Sequence, residues 1–163
     1  RSTPLYSSAA SDVYKRQAKY DVYKLVNHGY KETMGRIGKF PFPMSVEEAL
    51  SYIKNKLEIP VLRYAGNRDR LVEKIAILGG AGAEFAGVAK SMGADLYLTG
   101  DLKYHEAQDA AMNGLVIADG GHFYTERVII PYLAKRLRDE FKTRGWNVGV
   151  LEDVRAKDIF HCV

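Results

Sequence analysis

Three short apolar runs in the second half of the chain each stop at a turn that contains glycine. Residues 74–78 run into Gly79-Gly80-Ala81-Gly82, residues 94–99 into Gly100-Asp101, and residues 115–118 into Asp119-Gly120-Gly121. Each run has the length of a buried strand, and after each turn the chain takes up a helical pattern. Phe85, Val88 and Ala89 follow the first turn, and Val128, Ile129, Tyr132, Leu133 and Leu137 follow the third. Few architectures satisfy such alternation. It predicts an α/β fold, a mostly parallel sheet with helices on its faces. A strand at 146–151 is expected to close the series, after one long helix ending near Arg144-Gly145.

The earlier part of the chain adds two segments in front of this series. Residues 20–26 alternate and are rich in Tyr and Val, and residues 35–40 form a second extended segment, expected to end at Pro41 and Pro43. Ser45 followed by Glu48 has the form of a capping box, so a helix is predicted from there to about Leu57, burying Val46, Leu50 and Ile53. Residues 61–64 read as a further strand. Residues 1–17 are Ser- and Ala-rich, lack periodicity, and resemble translated adapter read-through, so fold reasoning begins at residue 18. The domain reading is therefore a leader at 1–17 and one folded unit at 18–163.

The net charge of +4 gives no nucleic-acid signal. Arg1, Lys15 and Arg16 against Asp12 put half of it in the leader, and a near-balanced body offers little electrostatic reason to hold a polyanion. No apolar run reaches the ~20 residues that span a bilayer. The one cysteine, Cys162, leaves no internal disulfide, and the reducing cytoplasm is the expected compartment.

Candidate chemistry lies at the strand tips. His122 and Glu126 stand four apart at the start of a helix, on one face, where an imidazole and a carboxylate can hold one metal ion or bridge two. The plainer reading is an ordinary exposed His/Glu pair in a first turn. Asp101 and His105 follow the neighbouring strand and would share the same edge, Asp101 otherwise serving as a helix cap. The Gly79–Gly82 turn lacks the third glycine of a dinucleotide fingerprint and the Gly-Lys-Ser/Thr of a P-loop, so it reads as a tight turn. No Gly-x-Ser-x-Gly or comparable nucleophile motif is present.

Gly35-Arg36-Ile37-Gly38, Thr99-Gly100-Asp101 with Lys103-Tyr104-His105, and Asp119-Gly120-Gly121-His122 with Glu126 together resemble the second half of the Nif-three-like dinuclear metal-centre proteins, the GTP cyclohydrolase 1 type 2 homologues. Order and spacing agree over about residues 18–160. The resemblance implies one lobe of a two-lobe fold, hexameric rings in the whole protein, and two divalent ions (zinc, iron or manganese) per complete subunit. It also implies that His122 and Glu126 are metal ligands, Glu126 bridging, with Asp101 and His105 as candidate catalytic residues beside them. The remaining ligands, a His-His pair and an Asp, belong to a first lobe that this chain lacks, so apolar surface is expected to be exposed over 128–151. The activity implied is metal-dependent hydrolysis of a nucleotide-like substrate. The alternative is a non-enzymatic metal-binding ring, a scaffold or regulator that binds protein or nucleic-acid partners.

Overall fold

The three glycine-stopped runs are the centre of one six-stranded sheet in the computed structural model, which describes residues 23–25 and 34–161. In chain order the strands are β1 (Tyr23–Leu25), β2 (Met34–Ser45), β3 (Arg63–Ala65), β4 (Leu71–Ala81), β5 (Leu96–Gly100) and β6 (Val116–Asp119). Their order across the sheet is β1-β2-β4-β5-β6-β3. The β4, β5 and β6 strands are parallel, while β1, β2 and β3 join antiparallel at the flanks. Among the described residues the helices are α1 (Val46–Leu57), α2 (Ala86–Ser91) with a 3-10 turn before it (Ala83–Phe85), α3 (Tyr104–Met112), α4 (His122–Glu126) and α5 (Ile129–Thr143). The predicted leader lies outside the described residues, as does all of the first predicted strand except β1.

Side chains leave the central strands alternately to two faces, as the pleat requires. Ile75, Ile77, Leu96, Leu98, Val116 and Ala118 pack on one face with Val46, Leu50, Ile53 and Leu57 of α1. Ala76, Leu78, Tyr97, Leu115 and Ile117 pack on the other with Phe85, Ala89 and Ala110, from the α2 and α3 side. Both faces are thus covered, which explains why the parallel runs read as continuously apolar. Full burial of a Leu, Ile or Val side chain stabilises by about 1.5–3 kcal/mol, so the α1 stripe alone anchors one layer. The Ser45–Glu48 capping box forms as predicted, with Glu48 N–H on Ser45 Oγ and Ser45 N–H on the Glu48 carboxylate.

Five boundaries differ from the sequence reading. The strand read at 74–78 is β4, Leu71–Ala81, and runs through the glycines read as a tight turn, which side-chain hydrogen bonds hold in place of ladder bonds. The β2 strand does not end at the prolines but continues to Ser45. Its pairing with β4 is interrupted between Lys39 and Met44, so Pro41 and Pro43, which lack an N–H, fall where no ladder bond is needed. The strand read at 61–64 is shifted to Arg63–Ala65 and lies antiparallel beside β6. No strand forms at 146–151; among the described residues the far side of β6 is taken by β3. The long helix after His122 is two helices. Pro131 cannot donate to the Arg127 carbonyl, which takes the Ile130 N–H in a tighter turn instead, and α5 starts afresh at Ile129. Beyond it Trp146, Val148 and Leu151 are exposed, as is Ile130 within α5.

Candidate metal centre

The carboxyl ends of β5 and β6 lie side by side, with Thr99 opposite Asp119 in the ladder. Gly120 N–H donates to the Thr99 carbonyl at 2.9 Å, so the two tips are tied together just before they diverge. Asp119 is buried and organises the turn: its carboxylate accepts the Gly121 N–H at 3.0 Å and an Arg63 guanidinium hydrogen bond. Gly121 takes φ +76°, in the left-handed region that glycine enters freely, and this sends the chain directly into α4. His122 therefore starts a helix at the mouth of the sheet, and Glu126 stands one turn on.

The two side chains meet. His122 Nε2 lies 3.2 Å from Glu126 Oε2, and His122 Nδ1 lies 2.6 Å from Asp101 Oδ2, at hydrogen-bond distance. All three side chains are about half exposed, so the group faces solvent rather than the core. The Asp101 hydrogen bond raises the imidazole pKa above its ordinary value, aided by the nearby Glu126 charge and opposed only by some burial. His105 is placed differently. It sits exposed on the first turn of α3, its ring edge-on to Tyr104, and among the described residues no hydrogen bond or ion pair joins it to Asp101, His122 or Glu126.

The turn after β4 supplies room. Ile77 pairs with Leu98 and Ala81 with Gly100, so β4 carries two more residues than β5 over this stretch. The excess bulges toward α4. Side chains replace the missing ladder bonds: Thr99 Oγ1 donates to the Gly80 carbonyl, Tyr97 to the Gly82 carbonyl, and Gly80 N–H donates to Thr125 Oγ1. A Cβ on Gly80 would sit 2.4 Å from Glu126 Oε1 and 3.2 Å from His122 Cε1. One on Gly100 would sit 2.9 Å from both the Gly121 carbonyl carbon and the His122 nitrogen. These glycines form a cradle, and Thr125, buried beneath the pair and bonded to the Gly121 carbonyl, fastens α4 into it.

The sequence reading took Gly80 and Gly100 for turn residues and did not single out Thr125 or Arg63, all four of which support the His122–Glu126 pair or the turn that leads into it. Consecutive glycines inside a strand do carry a signal, since they mark close approach of another backbone. Nothing local in the sequence pointed to Thr125 or Arg63.

The family profile described as Duf34/NIF3 (NGG1p interacting factor 3) matches residues 6–157. The chain belongs to the Duf34/NIF3 family. Among its relatives, the GTP cyclohydrolase 1 type 2 homolog of Bacillus subtilis (strain 168) is 34% identical over 131 residues, covering 80% of this chain and 35% of its own length. That of Clostridium perfringens is 35% identical over 130 residues, covering 80% and 48%. The crystal structure of a Bacillus cereus protein related to NIF3 superposes with a TM-score of 0.76 at 35% identity, over 81% of this chain and 37% of that one. The chain thus spans between about a third and a half of the length of these relatives. No helix among the described residues is long and apolar enough to cross a membrane.

Among the described residues no group of three or more His, Cys, Asp or Glu side chains is arranged to hold an ion. His122 and Glu126 nevertheless suit one as a pair. With metal–ligand bonds near 2.0–2.2 Å, two ligands on one tetrahedral ion stand roughly 3.3–3.6 Å apart. The observed 3.2 Å is close to that spacing without any rearrangement.

Proposed function

We propose that His122 and Glu126 are metal ligands of a dinuclear site, and that the whole protein is a metal-dependent hydrolase acting on a nucleotide-like substrate. The single observation that carries this is the 3.2 Å approach of His122 Nε2 to Glu126 Oε2, with Nδ1 of the same ring already engaged by Asp101. Glu126 faces His122 with Oε2 and the Gly80 backbone with Oε1, and it would hold an ion beside His122. The other ligands would come from a part of the protein outside this chain, and imidazole with carboxylate suits zinc, iron or manganese.

Divalent ions held by His122 and Glu126 would supply Lewis acidity and a water of lowered pKa. The residues of the chain have separate tasks. His122 and Glu126 hold the site, and the Gly80 and Gly100 backbones keep it open to an incoming substrate. His105, the other imidazole on this edge, would pass a proton to or from the substrate. A purine nucleotide is the substrate class that the name of the Bacillus subtilis relative suggests. The single cysteine fits work in a reducing cytoplasm, and a homo-oligomeric ring is the assembly we expect of the complete protein.

The test is turnover of a panel of purine nucleotides by a protein of the relatives' full length carrying these residues, with and without added zinc, iron or manganese. Metal-dependent ring opening or phosphate release, lost in Glu126→Gln and slowed in His105→Gln, is the expected result. Turnover that persists in Glu126→Gln, or an absence of turnover with any ion, would remove the hydrolase reading.

A further inference from the structure

Asp101 is built at some cost to the backbone. It is one of two non-glycine residues with positive φ among the described residues, at +54°. That conformation is uncommon outside glycine, although Asp and Asn tolerate it better than most. The preceding Gly100 is pressed against the backbone of Gly121 and His122. With the left-handed step at 101, the Asp101 carboxylate lies 2.6 Å from His122 Nδ1. Residues held in such conformations cluster where a site needs a fixed geometry.

We propose that Asp101 is a positioning residue, holding His122 as its Nδ1–H tautomer with an unprotonated Nε2 turned toward Glu126. The ring has a carboxylate at each nitrogen, and the two compete for the one proton of the neutral imidazole. Asp101 is at 2.6 Å and Glu126 at 3.2 Å, so Asp101 takes it. The consequence is a lone pair on Nε2, at the atom that faces Glu126. A histidine that ligates a metal through one nitrogen almost always donates from the other to a carboxylate or carbonyl, and this arrangement is already set in the chain without any ion. The inference rests on the ligand reading above only for its purpose; the tautomer itself is a property of the chain.

Asp101→Gly separates the possibilities, because glycine accepts φ +54° without strain and the fold is retained. The tautomer is read directly by long-range proton–nitrogen NMR on the metal-free chain, at a pH where the ring is neutral. The parent is expected to show Nδ1–H. In Asp101→Gly the proton is expected to move to Nε2, hydrogen-bonded to Glu126, with thermal stability unchanged or raised. Zinc affinity, measured on the same two proteins, is expected to fall 10- to 100-fold. Nε2–H in the parent, an unchanged tautomer in Asp101→Gly, or equal zinc affinity in the two would each overturn the proposal. If neither protein binds zinc, the ligand reading of His122 and Glu126 fails, while the NMR result still decides the role of Asp101.

Discussion

Strand β5 has an aspartate just outside each end, and the two are used in opposite ways. Asp95, before Leu96, accepts the backbone N–H groups of Glu73 and Lys74 at 3.0 Å each and pairs with Arg70 at 2.6 Å. Its side chain is only 19% exposed. Asp101, after Gly100, is half exposed, has a strained backbone, and spends its carboxylate on an imidazole that also faces Glu126. At one end of the strand a carboxylate closes the fold. At the other, the fold pays backbone strain to hold a carboxylate open. Residue type is the same at both ends; the partners decide which is structural.

Removing the closed carboxylate should have the largest effect on stability. Asp95→Ala leaves the Glu73 and Lys74 N–H groups without their acceptor and Arg70 with only the Gly114 carbonyl, and hydrogen bonds to a charged group contribute about 1.5–3 kcal/mol. We expect a loss of about 2–3 kcal/mol in urea unfolding, with no change in ion binding. The acid limb gives a second reading. Burial pushes the Asp95 pKa up, but the Lys74 and Glu73 N–H groups and Arg70 outweigh it and hold the group below its ordinary value. A carboxylate depressed in the folded state stabilises fully above its unfolded pKa of about 3.9 and loses that contribution as pH falls through the lower folded value. Stability of the parent should therefore drop below about pH 4, and Asp95→Asn should flatten that part of the curve.

At the open end, the support matters more to stability than the donors. Gly80→Ala combines a left-handed φ of +69° with a Cβ 2.4 Å from Glu126 Oε1. The strain costs about 1–2 kcal/mol. Because the clash is with the end of a flexible side chain, Glu126 swings away, and ion binding should be lost together with that moderate destabilisation. A comparable loss of stability is expected for Thr125→Val, which removes the acceptor of the buried Gly80 N–H and a donor to the Gly121 carbonyl. An unsatisfied buried N–H costs about 1–3 kcal/mol. Full stability in Thr125→Val would mean that α4 is held by its packing alone.

What the sequence makes legible follows the range of the interactions. The capping box at Ser45 and Glu48 and the two-sided apolar strands are local patterns, and both appear where they were expected. His122 and Glu126 are four apart on one helix, so their meeting was also readable. Asp101 meeting His122 depended on β5 and β6 being parallel neighbours, which the alternation of elements predicted. Asp95 gave no signal, because its partners are the backbone of a strand about twenty residues earlier. The two-residue excess in β4 was equally hidden, and its glycines looked like a simple turn although they extend the strand to Ala81. Pro41 and Pro43 misled in the other direction, since a proline stops a strand only where a ladder bond is required.

The central claim is that His122 and Glu126 are ligands, and paramagnetic NMR on this chain tests it even where binding is weak. Manganese added to isotope-labelled protein broadens resonances near the bound ion. The account predicts selective broadening at Gly80, Gly100 and residues 121–126, abolished by Glu126→Gln, which leaves stability within about 0.5 kcal/mol of the parent as expected for a half-exposed side chain. Broadening elsewhere, or the same broadening in Glu126→Gln, would contradict it and leave His122 and Glu126 as an ordinary pair at a helix start.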